Sequence, residues 1–257
     1  MSDTRARDFY DSPDAARWGR SEMPEQHTVT QDWIERTRAT GPSLELGCGR
    51  GALAGAAPRY AALDLSFHAL ATAHPGTPRI AASMEELPIR SGSIGLVFSW
   101  AAIEHVPNPD VVLVEIERVL RPGGVAILAP AWHCRPWAAD GLEFRRYSEL
   151  SGPQKARKAL IPLRNALWWR ALFEIPRRLL RELEMLMGPT RFRFTRLKPN
   201  LDEYVGTDCD AFTSMDPHAM IVYFASRGWE IISNPGLRSR LLARHGAVVV
   251  RKPGISS

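Results

Sequence analysis

The chain has 257 residues, of which 45% are hydrophobic and 24% charged, and these values are typical of a folded protein that buries a full core. Its formal net charge of +5 permits an anionic partner without requiring one. Three widely separated cysteines indicate neither a disulfide framework nor a paired-thiol metal site. The sequence shows no signal-peptide pattern and no apolar run of roughly 18 residues, which predicts a cytoplasmic protein that is neither secreted nor membrane-spanning.

The first 40 residues predict an N-terminal cap. They are polar, with aromatic side chains at positions that include Phe9, Tyr10 and Trp33, and the pattern predicts loops followed by a helix over 28–38. A helix in this place could cover the ligand-binding end of a sheet. The alternative is that the aromatic side chains only pack on the outside of the domain.

A strand is predicted over 43–46, and three glycines follow it at positions 47, 49 and 51. Glycines permit backbone angles that other residues avoid, and they leave room for a ligand close to the backbone. We expect this turn to open a short alanine-rich helix whose free amides could hold a carboxylate. A second strand, over 60–65, contains Asp64, whose two oxygens suit a vicinal diol. Asp64 could also be the N-cap of a helix over 67–72.

The spacing of the glycines distinguishes two kinds of cofactor site. A dinucleotide site uses G-x-G-x-x-G with an acid about 20 residues further on. Here the pattern is G-C-G-R-G, and Asp64 comes early. Glu45, on the strand itself, would repel a pyrophosphate but suits an ammonium group. The stretch LELGCGRG resembles motif I of the class I S-adenosylmethionine-dependent methyltransferases, E/D-x-G-x-G-x-G.

Further strands are predicted over 78–83, 94–99 and 125–130. Between the last two, the run S-x-x-x-x-E-H-V is followed by E-x-x-R-V-L-R-P-G-G, which resembles the ubiquinone-biosynthesis-type branch (methyltransferase type 11) of the same family. A helix over 217–227 and strands over 229–233 and 247–251 complete the pattern. The resemblance implies an α/β fold, with a Rossmann-like, mostly parallel sheet of seven strands, a final antiparallel hairpin and helices on both faces.

The resemblance also implies S-adenosyl-L-methionine as cofactor and gives each matching residue a role. Glu45 would bind the methionine ammonium, Asp64 the ribose hydroxyls, and residues 83–85 would surround the adenine. Ser83 stands where the family has an acid, so this contact would be weaker. Residues 99–100 would wall the methyl-donor side. The whole implied set is Glu45, Gly47, Cys48, Gly49, Gly51, Asp64, Leu65, Ser83, Met84, Glu85, Ser99 and Trp100.

The methyl acceptor is expected to be a small molecule or a lipid- or saccharide-linked group, with oxygen as the methylated atom. A general base is needed only where the acceptor is a hydroxyl or an acidic carbon. His105 is the candidate catalytic residue, because histidine titrates near neutral pH and this one follows the fourth strand. The alternative is a structural histidine that closes the loop before Pro107. His133 is the second candidate.

The alternation of strands and helices stops over 133–207, which we call the insertion. Tryptophan and arginine are frequent there, and Pro162 and Pro176 predict short helices, the last over 175–187 with one apolar face. A lid over the acceptor is one explanation. A basic amphipathic segment on an anionic membrane, with Arg177, Arg178 and Arg181 facing lipid, is another. Nucleic acid is disfavoured, because no RNA-binding motif accompanies the basic residues.

The predicted organisation is therefore an N-terminal cap (1–40), a cofactor-binding core (41–132), the insertion (133–207) and the C-terminal part of the core (208–257). An acidic group at the end of the insertion and just after it matches no metal pattern. Its sequence predicts a solvated loop with a helix cap, or the mouth of the acceptor pocket. We predict no metal. The members of this acidic group are Asp202, Glu203, Asp208, Asp210 and Asp216, with His218. A cofactor-binding protein without turnover and an RNA methyltransferase are the alternative functions.

Overall fold

A seven-stranded sheet positions the predicted site at the carboxyl ends of its parallel strands. The computed structural model describes residues 2–12, 22–73 and 76–254. The strands of this sheet are β1 (Ser43–Leu46), β2 (Tyr60–Asp64), β3 (Arg79–Ala81), β4 (Ile94–Trp100), β5 (Leu120–Ala129), β8 (Glu230–Ile231) and β9 (Val248–Arg251). Strands β6 (Phe194–Arg196) and β7 (Thr213–Met215) form a separate two-stranded sheet.

The strand order of the large sheet is β3-β2-β1-β4-β5-β9-β8. Strand β9 runs antiparallel to both of its neighbours, and the other pairs are parallel. All four residues of β1 and six of the seven residues of β4 are buried, as expected for parallel strands covered on both faces. The predicted α/β fold, with seven mostly parallel strands and a final antiparallel hairpin, is confirmed.

Helices cover both faces of the sheet. The helices of the described residues are α1 (Ser2–Tyr10), α2 (Pro24–Thr37), α3 (Phe67–Thr72), α4 (Pro109–Val119), α5 (Gly152–Ala159), α6 (Ile161–Asn165), α7 (Leu167–Met185), α8 (Pro217–Ala225) and α9 (Leu237–Leu241), of which α5, α6 and α7 belong to the insertion. One core lies between the sheet and α4 and α8, with Leu113 and Phe224 fully buried. On the other face, Trp33 and Ile34 of α2 pack against Phe98. The structured part of the chain has no helix that is both long and apolar enough to cross a bilayer.

The stretch between β1 and β2 departs from the expectation. An alanine-rich helix was predicted there, but residues 49–59 form consecutive turns and bends. Gly51 and Gly55 adopt φ values of 77° and 89°, which a right-handed helix does not contain, and Pro58 follows within one turn. The predicted helix is therefore wrong, because alanine propensity does not outweigh two left-handed glycines in so short a segment.

The insertion consists of α5, α6, α7 and strand β6. Pro176 was predicted to end a helix, but α7 continues through it. Proline removes the amide that would bond to the carbonyl of Leu172, and Leu172 lies on the exposed side of the helix, where water can bond to that carbonyl. The hairpin of β6 and β7 crosses the predicted limit between 207 and 208, so the insertion and the C-terminal part share this small sheet.

Helix α7 presents its charged side to the body of the protein. Arg178 is only 2% exposed, and its guanidinium donates to the carbonyl of Leu241 at 2.6 Å and to Asp216 Oδ1 at 2.8 Å. Arg181 donates to Asp216 Oδ2 at 2.7 Å. The expectation that Arg178 and Arg181 face lipid is therefore wrong, because the half-buried carboxylate of Asp216 holds both. Arg177 is exposed.

Candidate cofactor and acceptor site

The glycine turn, residues 47–51, connects β1 to the edge of the sheet where the site is expected. Its three glycines have φ values of 71°, 50° and 77°. A Cβ on Gly47 would overlap the side chains of Ala102 and Met84, so this position requires glycine. A Cβ on Gly49 would meet no described atom within 4 Å. The turn therefore leaves open space beside the backbone at Gly49, which fits a ligand lying against it.

The amides of this turn already have partners. Gly47 and Cys48 both donate to the carbonyl of Leu63, at 2.8 and 3.0 Å, and Gly49 donates to Asp64 Oδ2 at 2.7 Å. The expectation that a ligand carboxylate would rest on free helix amides here is wrong, because no helix begins at the turn and these three amides are occupied. The turn can still contribute shape and the open side of Gly49.

Two predicted cofactor residues next to the turn differ in what they can offer. The side chain of Cys48 is buried in a small apolar cluster with Ala62 and Leu70, and burial raises the pKa of its thiol. Only the backbone of Cys48 is therefore available to a ligand. Leu65, directly after β2, is half-buried and keeps part of its side chain accessible.

Asp64 is held in place at the end of β2. Its Oδ2 accepts the Gly49 amide, and its Oδ1 accepts the Ser66 amide at 2.9 Å. Burial raises the pKa of Asp64 although these amides stabilise the carboxylate. Each oxygen retains a lone pair for a ligand hydroxyl. The N-cap of α3 is Ser66, which accepts from Ala69, so the alternative cap role of Asp64 is wrong.

Glu45 lies one strand away and is buried. Its Oε2 accepts a short hydrogen bond from the hydroxyl of Tyr60. Burial raises the pKa of Glu45 to about 8, although the Tyr60 hydrogen bond opposes the shift, and the charge of Asp64 adds to it. Glu45 and Asp64 are thus close enough to influence each other, and Glu45 is largely protonated at neutral pH until a cation approaches.

The predicted adenine segment is ordered by its own contacts. The Ser83 hydroxyl accepts the amide of Glu85 at 3.2 Å, and Met84 packs on the main core. The carboxylate of Glu85 accepts the amide of Asn108 at 2.8 Å, directly before α4. Glu85 therefore positions the start of α4, and any direct contact with a base would come from Ser83 and Met84.

The two residues predicted to line the methyl-donor side of the site, Ser99 and Trp100, make their hydrogen bonds to other parts of the protein. Ser99 is fully buried and donates to the carbonyl of Leu46 at 2.9 Å, which ties β4 to β1, so the expectation for its side chain is wrong. The indole of Trp100 donates to the hydroxyl of Thr30 at 3.0 Å and lines a groove next to α2. Trp100 is thus turned towards the N-terminal cap.

His105 lies in a short 3₁₀ turn, Ile103–His105, that follows β4 after a left-handed residue, Ala101, with φ 46°. Its Nδ1 is 3.2 Å from Asp210 Oδ2, and the hydroxyl of Tyr10 donates to the same oxygen at 2.8 Å. The His105 side chain is 22% exposed. Burial disfavours its cation, but the carboxylates of Glu104 and Asp210 outweigh burial and raise the pKa of His105.

Glu104, beside His105, is fully buried. Its Oε1 is 3.6 Å from Nε2 of His105, and neither carboxylate oxygen accepts a hydrogen bond from the described residues. Burial raises its pKa. A buried carboxyl group without hydrogen bonds is uncommon and marks a candidate functional site. His105 therefore lies between two acidic side chains.

Sequence reasoning did not find the role of α1. This helix covers the site: its Tyr10 reaches Asp210, and the carbonyl of Tyr10 accepts the Ser66 hydroxyl at 3.1 Å, next to Asp64. Burial, with the charge of Asp210, raises the pKa of Tyr10 well above its usual value. The signal was present, because Ala6, Phe9 and Tyr10 recur at helical spacing and the first two are buried.

The acidic group separates into different roles. Asp216 accepts the amide of His218 at 3.1 Å as the N-cap of α8, so the predicted cap is confirmed. Asp210 contacts His105. The second catalytic candidate, His133, donates its amide to the carbonyl of Met215 at 2.9 Å. Within the described ranges, no group of three or more His, Cys, Asp or Glu side chains has the geometry of a metal site.

Comparison with known proteins identifies the core. Residues 44–128 match the family model described as a methyltransferase domain. These residues form a class I methyltransferase domain. The family inferred from LELGCGRG and from the E-H-V run is thereby confirmed. The matched residues span strands β1 to β5 of the large sheet.

Relatives of this methyltransferase domain are similar over part of their length. An uncharacterized methyltransferase of Mycobacterium ulcerans is 30% identical over 168 residues, which cover 58% of this chain and 63% of that protein. A malonyl-[acyl-carrier protein] O-methyltransferase of Alcanivorax borkumensis is 37% identical over 99 residues, 34% of each chain. The solved structure of a putative S-adenosyl-L-methionine-dependent methyltransferase from Methanococcus maripaludis is 14% identical, with a TM-score of 0.44 over 90% of this chain and 86% of that one.

Proposed function

We propose that this protein transfers a methyl group from S-adenosyl-L-methionine to a hydroxyl oxygen of a small-molecule or lipid- or saccharide-linked acceptor. The observation that carries the proposal is the meeting of three features at one edge of the sheet. These are the open side of the glycine turn at Gly49, the anchored carboxylate of Asp64, and His105 between two carboxyl groups. The three buried, free cysteines support a reducing compartment such as the cytosol.

The cofactor half of the proposal rests on the chemistry of the residues present. Asp64 offers two acceptor oxygens to the ribose diol, Glu45 an acid to the methionine ammonium, and Gly49 the space beside the backbone. When bound, the cofactor supplies a methyl group that its sulfonium has already activated. The protein then has mainly to orient the acceptor and exclude water, which can account for most of the rate acceleration.

The acceptor half rests on His105. Its Nδ1 lies 3.2 Å from Asp210 Oδ2 and its Nε2 lies 3.6 Å from Glu104 Oε1, and this partly exposed imidazole is the group that takes a proton from an acceptor hydroxyl. Glu104 and Asp210 then stabilise the imidazolium that forms. The same carboxyl groups would repel an acceptor carboxylate, so they favour a neutral hydroxyl. The partial relative named as a malonyl-[acyl-carrier protein] O-methyltransferase supports oxygen as the methylated atom. A malonyl group ends in a carboxylate, so the choice of a hydroxyl acceptor rests on the two acids beside His105 and not on that relative.

Calorimetry with S-adenosylhomocysteine tests the cofactor half. We expect binding to wild type and a loss of about 10- to 100-fold in affinity in Asp64→Ala, because charge-assisted hydrogen bonds contribute about 1.5–3 kcal/mol. Asp32→Ala, at a half-exposed acid on α2, is the matched control and should bind normally. No binding to wild type, or equal binding to Asp64→Ala, would contradict the cofactor site. Tight binding without transfer of labelled methyl to any small-molecule or lipid extract would contradict catalysis.

Proton release should report on Glu45. Its pKa of about 8 means that a ligand ammonium, by favouring the carboxylate, should expel a proton when binding occurs near pH 7. Affinity should consequently rise with pH up to about 8 and then level off. Calorimetry in buffers of different ionisation enthalpy measures the released proton, and Glu45→Gln should abolish this component. A release unchanged in Glu45→Gln would show that another group carries it.

A further inference from the structure

Helix α7 is amphipathic, but it is oriented opposite to an ordinary surface helix. Its buried side carries charge. Arg178 donates to Asp216 at 2.8 Å, and Arg240 donates to the two carboxylate oxygens of Glu182 at 2.9 and 2.6 Å. His218 lies 3.1 Å from the same glutamate, and burial lowers its pKa to about 4 although Asp216 and Glu182 favour its cation. These ionic contacts attach α7 to α8 and α9, and they fix which side of the helix points outward.

The outward side is apolar. Its residues recur three or four positions apart, so they lie on one face, and together with the two residues after the helix they form what we call the apolar stripe. Leu186 and Met187 are 78% and 83% exposed. The exposed members are Trp168, Leu172, Phe173, Leu179, Leu180, Leu183, Leu186 and Met187. A contiguous exposed patch of this kind indicates a surface that binds another apolar body.

The charge of the surrounding segment selects the partner. The insertion holds fifteen of the 33 Lys and Arg residues but only eight of the 28 Asp and Glu residues. Arg177, on the border of the apolar stripe, and Arg191, just after it, are exposed and have no ion pair or hydrogen bond within the described residues. Such a segment attracts an anionic surface and repels a second copy of itself.

We propose that α7 is an interfacial helix that lays the apolar stripe on an anionic lipid bilayer. Leucines and Trp168 would enter the headgroup and upper acyl region, where tryptophan is favoured. Arg177 and Arg191 would bind lipid phosphates at the rim. The helix would lie in the plane of the membrane, with the ionic contacts to Asp216 and Arg240 keeping the body of the protein on the aqueous side.

Vesicle flotation of the full chain tests this proposal. We expect binding to vesicles of phosphatidylcholine with phosphatidylglycerol, weaker binding to phosphatidylcholine alone, and a decrease with salt. The double variant Leu179→Glu/Leu183→Glu should bind about 100-fold more weakly, because two apolar side chains become charged. Val114→Glu, an exposed valine on α4, is the matched control and should float like wild type. Arg177→Gln/Arg191→Gln should reduce only the salt-sensitive part.

Two outcomes would overturn the proposal. One is an absence of flotation with anionic vesicles at low salt, or flotation unchanged in Leu179→Glu/Leu183→Glu. The other is a dimer in light scattering that this double variant converts to a monomer, which would show that a second copy covers the apolar stripe. Unchanged thermal melting confirms that the variants are folded, as expected for exposed positions. Cofactor binding is measured in parallel, so that failure of the membrane proposal is distinguished from failure of the proposed function.

Discussion

Replacement of Arg178 with methionine is expected to lower the free energy of unfolding by about 3 kcal/mol, because removing one member of a buried ion pair leaves its partner without compensation. Asp216 would lose its 2.8 Å contact, and the carbonyl of Leu241 would lose a donor. Arg181 would still bind Asp216, which keeps the loss at the lower end of the range for buried pairs. Urea unfolding followed by circular dichroism measures the change.

The neighbouring arginine is the control for this experiment. Arg177 is exposed and unpaired within the described part of the chain, so Arg177→Met should change stability by less than about 0.5 kcal/mol. Equal destabilisation by the two substitutions would contradict the assigned orientation of α7. The outcome therefore tests the orientation of the helix independently of any membrane.

The difference between wild type and Arg178→Met should also depend on pH. Burial tends to raise the pKa of Asp216, but Arg178 and Arg181 outweigh burial and lower it. A carboxylate with a lowered pKa in the folded state stabilises the fold above its unfolded pKa, and this stabilisation is lost as pH falls through the folded value. The advantage of wild type should thus be complete above about pH 4 and decrease in stronger acid.

His105→Asn is expected to lower kcat by about 10²- to 10⁴-fold, because asparagine cannot accept the proton of an acceptor hydroxyl. Methyl-transfer assays at saturating cofactor measure the change, and calorimetry with S-adenosylhomocysteine should show nearly unchanged affinity. Loss of cofactor binding, or retention of kcat, would contradict the role of general base.

The pH profile distinguishes catalysis by His105 from a structural role. Only the neutral imidazole accepts a proton, so kcat should rise with pH through the raised pKa of His105. Asp210→Asn removes one of the charges that raise this pKa, so the rise of kcat on the acidic side of its pH profile, the acidic limb, should move to lower pH. Asp202→Asn, an exposed acid paired with Arg5, should leave it in place. An acidic limb that is unmoved in Asp210→Asn would show that another group controls the rate.

Local patterns predicted the core well. Strand β1 and helix α3 have the predicted limits, because apolar residues bounded by glycine, proline or an N-cap serine specify such elements within a few positions. The glycine turn and Asp64 lie together at the sheet edge, as the motif implies. The roles of Glu85 and Ser99 were not predictable, because their partners Asn108 and Leu46 lie far away in sequence.

The orientation of α7 in the insertion was likewise not predictable from the residues near it in sequence. Helical periodicity predicts the apolar side of α7, yet it does not tell whether that side points inward. The answer depends on Asp216 and Arg240, which lie 35 to 58 residues further along the chain from the arginines and the glutamate they bind. Residue patterns within one helix contain no information about such distant partners, and the usual rule that apolar sides are buried gives the wrong orientation here.

The hydrogen bond from His133 to Met215 means that the polypeptide leaves the methyltransferase domain and returns to it at adjacent points. The intervening 81 residues, 134–214, are consequently an excursion whose two ends lie side by side, although α7 within it is bound to Asp216 and Arg240 outside it. A chimera that exchanges this excursion with that of a relative should be cut at these two points. A cut at 207 would separate β7 from its pairing partner β6. Any graft would also have to supply a counterpart of Asp210 to contact His105.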